Sequence, residues 1–421
     1  MLTGLVWEQN TQEGNLTSAK LPLQPDGGWT GKDWSGLLRE KDAAEATWFH
    51  QSLPYYAPTP LHELQNQAKD LQVDKIFIKD ESTRFGLDSF KVLGVSYAVA
   101  LALAKYKRLD TTGLTFSSLC AALWADPQKV TFFAATDGNH GKGLAWIARQ
   151  LHQNAKIFMP AGSSPRRMEA IRREGASAHI TDLNYDECVQ KTARLAAETP
   201  DAVFVQDTAW EGYTEIPTGI MLGYGTLIRE ALEQMKNEYS CEPSHVFVQA
   251  GVGSLAGAIQ SYLLGRFPEN PPKVIVVESS SADCFLRSQK NGVYTPVNLS
   301  LEPPTVMAGL SCGESSLIGR SILERHAAAF VSIPDRITAA GMRILAAPLR
   351  GDPAIVSGES GAAGFAAMWE ILSNPECHPL KDALGINTES RILCISTEGA
   401  TDPDRYRQIV WGGELPYENP L

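Results

Sequence analysis

Short apolar runs alternate along the chain with longer segments in which apolar residues recur at helical spacing. Val- and Ile-rich runs of about four to eight residues are typical of buried strands, and a recurrence every three or four residues is typical of helices. The predicted strands are Lys75–Lys79, Val130–Ala135, Lys156–Met159, Ala178–Thr181, Ala202–Val205, His245–Gln249, Lys273–Val277 and Arg391–Ser396. Helical spacing is clearest in Gly143–Leu151, Pro165–Glu174, Asp186–Ala197 and Ile220–Met235. The alternation predicts an α/β fold of mostly parallel sheets flanked by helices.

Interruptions of this alternation predict how the chain divides into lobes. Residues 206–215 (QDTAWEGYTE) separate the middle strand-helix units from those of the C-terminal half, and a second boundary is expected just after Lys91. We therefore predict a small lobe of residues 93–209, inserted into a larger lobe formed by residues 1–92 and 210–421. The first ~45 residues are rich in Gly, Pro and Trp and are expected to form an extended arm.

Length and charge narrow the possible classes of function. A chain of 421 residues is long enough for two α/β lobes. Its net charge of −11 argues against a nucleic-acid partner, because binding to phosphates requires a surplus of Lys and Arg. The sequence has neither a run of about 18 apolar residues, as a membrane span requires, nor a basic segment leading into an apolar run, as secretion requires. We expect a cytoplasmic protein.

The seven cysteines give no sign of a metal site. They are scattered, without a CxxC pair or a tight cluster with His, which suits a reducing compartment and argues against zinc. Cys284 and Cys312 lie in loop-like stretches and could form a disulfide, but buried free thiols are the preferred interpretation. No metal ion is therefore expected.

The first of three chemically suggestive loops joins a predicted strand to an apolar helix and ends in Ser89-Phe90-Lys91. A helix start carries partial positive charge, so we expect it to lower the pKa of the Lys91 amine. A neutral amine is the nucleophilic form that a Schiff base requires. The alternative is an ordinary solvated lysine on the surface.

The second loop, Thr136–Gly141 (TDGNHG), again lies between a predicted strand and a helix. Gly138 and Gly141 let a ligand approach the backbone, and Asn139 can donate a hydrogen bond to a phenolate or carboxylate oxygen. The alternative is a capped turn, since Asp and Asn are favoured at helix starts.

The third loop, Gly251–Leu255 (GVGSL), precedes a predicted helix. Glycine-rich backbone with a hydroxyl at a helix N-terminus favours binding of a phosphate. The dinucleotide fingerprint is incomplete because position 256 is Ala, so a single phosphate is the better interpretation.

Ser-Phe-Lys, Gly-Asn-His-Gly and a glycine loop, in this order, resemble the fold type II pyridoxal-phosphate (PLP) enzymes, which include threonine and serine dehydratases. The agreement extends from about Leu61 to Pro403. Within that group the chain is most similar to the diaminopropionate ammonia-lyases, through KDESTRFGLDSFK, ATDGNHGKGLAW, QDTAWEGY, PTVMAGLSCGE, SGESGAAG and ISTEGATDP. The resemblance implies PLP as cofactor in the larger lobe, a small amino acid as substrate, and a homodimer.

The resemblance also implies a role for individual residues. Lys91 would form the Schiff base and act as base at Cα, while Asp137 would act as acid, base or amino-group partner on the opposite face of the cofactor. Asp207 would lie near the substrate, although it could equally be a turn residue before Trp210. Asn139 would contact the 3-oxygen of the cofactor. The phosphate would be held by Gly251, Val252, Gly253, Ser254 and Leu255.

Three further assignments depend on the same resemblance. Gly309 and Leu310 would pass close to the cofactor ring. Either Ser396 or Thr397 would contact the pyridine nitrogen, with Ser396 preferred for its place relative to Asp402-Pro403. His140 could assist proton transfer, but a helix-start histidine bonded to backbone is preferred.

The implied reaction is α,β-elimination of ammonia from 2,3-diaminopropionate, which gives pyruvate and ammonia. The alternative in the same fold is a serine or threonine dehydratase, in which a hydroxyl group leaves. Two further alternatives are β-replacement, as in cysteine synthase, and a non-catalytic sensor of small molecules.

Overall fold

The computed structural model describes residues 17–19 and 32–417. Eleven strands occur in these residues: β1 Thr17–Ala19, β2 Leu61–Glu63, β3 Lys75–Asp80, β4 Thr131–Ala135, β5 Asn154–Met159, β6 Ser177–Ile180, β7 Ala202–Phe204, β8 His245–Gln249, β9 Lys273–Ser279, β10 Ala329–Ile333 and β11 Arg391–Ser396.

Fifteen α-helices occur in the same residues: α1 Glu40–Ser52, α2 Gln65–Asp70, α3 Lys91–Tyr106, α4 Phe116–Ala125, α5 Asn139–Gln150, α6 Pro165–Arg173, α7 Tyr185–Ala197, α8 Glu215–Tyr239, α9 Ser254–Arg266, α10 Cys284–Asn291, α11 Leu317–His326, α12 Asp335–Ala346, α13 Ala363–Ser373, α14 His378–Leu384 and α15 Pro403–Val410. No helix in the described part of the chain is both long and apolar enough to cross a membrane.

The strands form two sheets. The larger has seven strands in the order β1-β10-β9-β8-β11-β3-β2, with β1 and β2 antiparallel at its edges and the inner strands parallel. The smaller has four parallel strands in the order β6-β5-β4-β7. All four lie between residues 93 and 209, so the sheets agree with the predicted lobes, whose boundaries stay a prediction. The carboxyl ends of parallel strands are where α/β folds bind ligands.

The α/β fold predicted from the sequence is confirmed, and all eight predicted strands are present with ends shifted by at most two residues. The prediction missed β10, which pairs with β9, and the short edge strands β1 and β2. The predicted arm of ~45 residues was too long, because α1 already begins at Glu40. Most of the remaining arm, residues 1–16 and 20–31, lies outside the described residues.

Helix α3, which begins at Lys91, packs closely against α5 and α8. A Cβ on Gly223 of α8 would lie 2.5 Å from the Leu93 carbonyl oxygen, and one on Gly143 of α5 would lie 3.0 Å from Val92 Cα. Both glycines therefore permit a contact that a side chain would block. Because α5 follows a strand of the small sheet and α8 precedes a strand of the large one, α3 is held from both sides.

The segment that leads from β3 to Lys91 is anchored by buried charges. Lys79 Nζ lies 2.9 Å from a Glu230 carboxylate oxygen, and Arg84 Nη2 lies 2.7 Å from Glu81 and 2.7 Å from Glu230. Thr59 and Tyr56 donate further hydrogen bonds to Glu81 and Glu230. We call Lys79, Glu81, Arg84 and Glu230 the Glu230 cluster.

Candidate active site

One cavity collects the three loops singled out in the sequence. Its walls are formed by the residues just before and at the start of α3, the loop after β4, the loop after β8, and the segments around Gly309 and Thr397. Predicted site residues that line it are Lys91, Asp137, Asn139, Asp207, Gly251, Val252, Gly253, Ser254, Leu255, Gly309, Leu310 and Thr397. The carboxyl ends of both sheets therefore contribute to the same cavity.

Lys91 and Asp207 form an ion pair inside this cavity. Lys91 Nζ donates to Asp207 Oδ2 at 2.5 Å, and the Asp207 side chain is 5% exposed. Desolvation lowers the pKa of Lys91, but Asp207 and other nearby groups outweigh it and raise this pKa above its ordinary value. The prediction that the helix start lowers the Lys91 pKa was therefore wrong, since it considered only the local helix and not a carboxylate 116 residues away in sequence.

The surroundings of Asp207 explain its orientation. The Ser254 hydroxyl donates to the Asp207 backbone carbonyl, which ties the glycine loop to this residue. His140 Nε2 lies 2.8 Å from the Val205 carbonyl oxygen, so this nitrogen carries the proton. The Nδ1 atom of His140 lies 3.9 Å from Asp207 and has no hydrogen-bond partner among the described residues. Burial lowers the pKa of His140, which favours the neutral ring.

The loop after β4 presents Asp137 and Asn139 to the cavity. The Thr136 hydroxyl accepts hydrogen bonds from the Gly138 and Gly141 N–H groups at 2.9 and 3.3 Å and so shapes the turn. Gly138 has φ +155°, a conformation that other residues rarely adopt. The Asn139 amide donates to a carboxylate oxygen of Glu398. Asn139 thus stands at the cavity wall on the first turn of α5.

The loop after β8 fits a phosphate group. A Cβ on Gly253, whose φ is +88°, would lie 2.4 Å from the Phe285 ring, and one on Gly251 would lie 2.8 Å from the Gly309 carbonyl oxygen. Only a bare backbone fits here, and the first N–H groups of α9 lack partners within their helix. Such N–H groups at a helix start bind anions. The Ser254 hydroxyl is engaged with Asp207, so the backbone provides the donors.

Ser396 and Thr397 lie differently with respect to the cavity. Ser396 donates to the Ser357 hydroxyl at 2.8 Å and does not line the cavity. Thr397 does line it, and its hydroxyl accepts a hydrogen bond from Gln249 at 2.9 Å. Adjacent residues at the end of a strand point to opposite sides, so only one of the two can face the ligand. Thr397 is the one of the two that lines the cavity. Which of them contacts the ring nitrogen stays a prediction.

Several cavity residues received no role from the sequence. Glu398 accepts from the Ser360 N–H at 3.0 Å and from Asn139, and both Glu398 and Ser360 line the cavity. Tyr185 and Cys312 line it as well. Glu398 and Ser360 lie within the motifs ISTEGATDP and SGESGAAG, so the motifs pointed to the segments without showing which side chains face inward. Cys284 and Cys312 are both free and buried.

The chain is similar to known proteins over most of its length. The pyridoxal-phosphate dependent enzyme family matches residues 53–394. Diaminopropionate ammonia-lyase of Escherichia coli strain K12 is 45% identical over 380 residues, which cover 90% of this chain and 94% of the relative. The enzyme of the same description from Salmonella typhimurium strain LT2 is 45% identical over 379 residues, with the same coverage.

A solved structure shares the fold over nearly the whole chain. It is the Escherichia coli diaminopropionate ammonia lyase in complex with an aminoacrylate-PLP azomethine reaction intermediate, with a TM-score of 0.85 and 42% identity. The match covers 96% of this chain and 98% of that structure. This chain is a member of the pyridoxal-phosphate dependent enzymes and, among them, of the diaminopropionate ammonia-lyase family.

Proposed function

We infer that this protein is a PLP-dependent lyase that eliminates ammonia from 2,3-diaminopropionate. Loss of the β-amino group and hydrolysis of the remainder give one pyruvate and two molecules of ammonia. The observation that carries this conclusion is the cavity itself, where a lysine, two aspartates and a phosphate-binding loop meet in a chain 45% identical to known diaminopropionate ammonia-lyases.

The residues of the cavity suit the cofactor. When bound, PLP supplies the electron-withdrawing ring that makes a proton at Cα of an amino acid removable. We propose that Lys91 holds the cofactor covalently and that the backbone of Gly251–Leu255 holds its phosphate. Asn139 would hold the 3-oxygen, and Thr397 would face the ring nitrogen in place of the preferred Ser396. Gly309 would pass beside the ring, and a Cβ there would lie 3.1 Å from Ser360 Oγ, so a side chain at this position would crowd the cavity wall.

We propose that the proton transfers are divided between Lys91 and Asp137. Each lines the cavity from a different loop, so each can reach a different side of a substrate held between them. Lys91 would take the Cα proton from one enantiomer and Asp137 from the other. Asp207, bonded to the Lys91 amine at 2.5 Å, would orient that amine and balance its charge.

The carboxylates favour diaminopropionate over a hydroxyamino acid. Asp137, Asp207 and Glu398 all line the cavity, whereas Lys91 is its only lysine or arginine among the described residues. A substrate with two amino groups brings more positive charge to these carboxylates than serine or threonine does. A serine or threonine dehydratase is the second candidate, because the same residues can also eliminate water.

Substrate comparison tests the proposed function. The purified protein with PLP would be assayed for pyruvate and ammonia on 2,3-diaminopropionate, serine and threonine. We expect the highest kcat/KM on diaminopropionate, with two ammonia molecules for each pyruvate. A higher kcat/KM on serine, with one ammonia for each pyruvate, would instead identify a dehydratase.

The proposed division of labour predicts an effect that depends on the enantiomer. Asp137→Asn keeps the size of the side chain but removes its basicity, so kcat/KM should fall about 10²- to 10⁴-fold for one enantiomer of diaminopropionate and much less for the other. Equal losses on D- and L-diaminopropionate would show that Asp137 serves only to bind the substrate.

We further propose that the protein is a cytoplasmic homodimer with no nucleic-acid partner. The family resemblance supports the dimer, and the seven free cysteines support a cytoplasmic location. The net charge of −11 argues against a nucleic-acid partner. Sedimentation at several protein concentrations tests the dimer, and a monomer that retains full activity would contradict it.

A further inference from the structure

Arg167 lies directly behind the loop that carries Asp137. It belongs to α6, and its side chain is almost fully buried. Its Nη1 atom lies 3.6 Å from Asp137 Oδ2, which is close enough for an ion pair but too long for a direct hydrogen bond. The aliphatic part of the side chain fills the space beside Gly138, where a Cβ would lie 2.9 Å from Arg167 Cδ. Arg167 therefore contacts the Asp137 loop through both its stem and its charge.

The other end of the guanidinium group faces the large sheet. Nη2 donates to the Thr401 hydroxyl at 3.4 Å and lies 4.0 Å from a carboxylate oxygen of Glu359. Glu359 is 1% exposed, and neither of its carboxylate oxygens accepts a hydrogen bond from the described residues. Arg167 thus connects Asp137, on the loop after a strand of the small sheet, with the segment before α13 and the segment after β11.

Arg167 has donor capacity that the structure does not use. Its buried Nε has no hydrogen-bond partner among the described residues. A buried charge held by long contacts differs from the fully paired arginine of a structural cluster, because a buried donor without a partner destabilises the fold. Such an arrangement suits a side chain that positions a neighbouring group, here the Asp137 carboxylate.

We propose that Arg167 is a positioning residue that holds the Asp137 carboxylate in place for its proton transfer, and that it thereby determines how well one enantiomer of the substrate reacts. This inference rests on the proposed function, in which Asp137 serves one enantiomer and Lys91 the other. Arg167 does not line the cavity, so in this proposal it acts through Asp137 and not by contact with the cofactor or the substrate. Its loss should therefore reproduce the enantiomer dependence of the Asp137 change and not a general decline.

The experiment measures kcat/KM on D- and L-diaminopropionate for four single variants, one of them Asp137→Asn, and one double variant of the PLP-loaded enzyme. Arg167→Met keeps the stem against Gly138 and removes the charge, and Arg167→Lys restores a charge without the planar fork. Arg166→Met is the matched control, because Arg166 neighbours Arg167 on α6 but pairs with Asp404 at the surface. The double variant combines Arg167→Met with Asp137→Asn.

We expect Arg167→Met to lower kcat/KM about 10- to 100-fold for the enantiomer that Asp137→Asn affects, because small displacements of a catalytic group cost this much. Arg167→Lys should recover part of the loss, and Arg166→Met should change neither rate. In the double variant, Arg167→Met should add little to the effect of Asp137→Asn, since both changes remove the same contribution.

The outcomes separate this inference from the proposed function. Equal losses on both enantiomers in Arg167→Met, with an unequal loss in Asp137→Asn, would overturn the role of Arg167 and leave that of Asp137 intact. Fully additive effects in the double variant would overturn it as well. If Asp137→Asn itself affects both enantiomers equally, the assignment of Asp137 fails first, and the inference fails with it.

Discussion

The Glu230 cluster and the charged residues of the cavity lie at opposite ends of the same segment, Lys79–Lys91, and they are partnered very differently. In the Glu230 cluster, the charges of Lys79, Glu81, Arg84 and Glu230 meet at 2.7–2.9 Å. At the cavity end, only Lys91 and Asp207 are so close, while Arg167, which lies behind the cavity wall, is 3.6 Å from Asp137 and 4.0 Å from Glu359.

The difference distinguishes buried charges with close partners of opposite charge from buried charges without them. Burial raises the pKa of Glu230, but Arg84 and Lys79 outweigh it and lower this pKa to about 2. Burial raises the pKa of Glu359 to about 7, because Glu398 adds to the effect and Arg167 is too distant to reverse it. Glu230 is thus held as a carboxylate, whereas Glu359 is partly protonated near neutral pH.

The largest expected effect is on catalysis at the cavity end of the segment. Lys91→Ala removes the amine that would hold the cofactor, so turnover of diaminopropionate should fall on the order of 10⁴-fold or more. The visible absorbance of the purified protein with PLP should change with it. Pyruvate formation and the absorbance spectrum check this together, and far-ultraviolet circular dichroism verifies the fold. Retained turnover with an unchanged spectrum would contradict the role of Lys91.

At the other end of the segment, the largest effect should be on stability. Arg84→Met leaves the buried carboxylates of Glu81 and Glu230 without their main partner, which should cost about 3–5 kcal/mol of unfolding free energy. Urea denaturation of the PLP-loaded protein measures this loss. A change below about 1 kcal/mol would mean that the cluster tolerates unpaired carboxylates, and that close pairing is no guide to a structural role.

The pH dependence of stability should identify Glu359 as the less well partnered glutamate. Its pKa in the folded protein is raised from 4.5 to about 7, so its contribution to stability is present below pH 4.5 and is lost as pH rises through about 7. Glu359→Gln cannot ionise and should gain about 2 kcal/mol over the natural protein between about pH 5 and pH 8. Urea denaturation at the two pH values checks the sign, and a gain in the opposite direction would refute it.

An exposed ion pair should show the smallest effect. Lys105 Nζ lies 2.6 Å from Glu215, yet the two side chains are 70% and 71% exposed. Lys105→Ala should change the unfolding free energy by less than about 0.5 kcal/mol, because water screens such a pair. The same urea assay serves here. A loss comparable to that of Arg84→Met would show that distance alone, and not burial, decides the strength of these pairs.

Local patterns predicted the sheets well, because strands and helices have distinct periods of apolar residues. The eight strands found in this way include β3, β4, β8 and β11, whose following loops build the cavity. The sequence analysis missed β10 because Ala329–Ile333 is an isolated run of five residues. Pairing with β9 makes this run a strand of the large sheet. The order of the motifs also identified the family.

The sequence did not reveal which side chains meet across the fold. The pKa of Lys91 depends on Asp207, and the pKa of Glu359 depends on Glu398 and Arg167. The partners in each pair are far apart in the sequence and meet only in the folded chain. The distinction between Ser396 and Thr397 depends on which way each residue points at the end of β11. Arg167 had no motif to mark it, because its contact with Asp137 arises only when α6 packs behind the loop.

The packing of α3 has a practical consequence for redesign. Because Gly143 and Gly223 let α5 and α8 pack closely against the first turns of α3, Lys91 is fixed relative to both sheets. Engineering for new substrates should therefore leave α3, α5 and α8 unchanged and vary Tyr185 and Cys312, which line the cavity, carry no proposed catalytic or cofactor-holding role and lie outside that helical contact. Libraries that vary the helical glycines would lose folded protein before they gained any new chemistry.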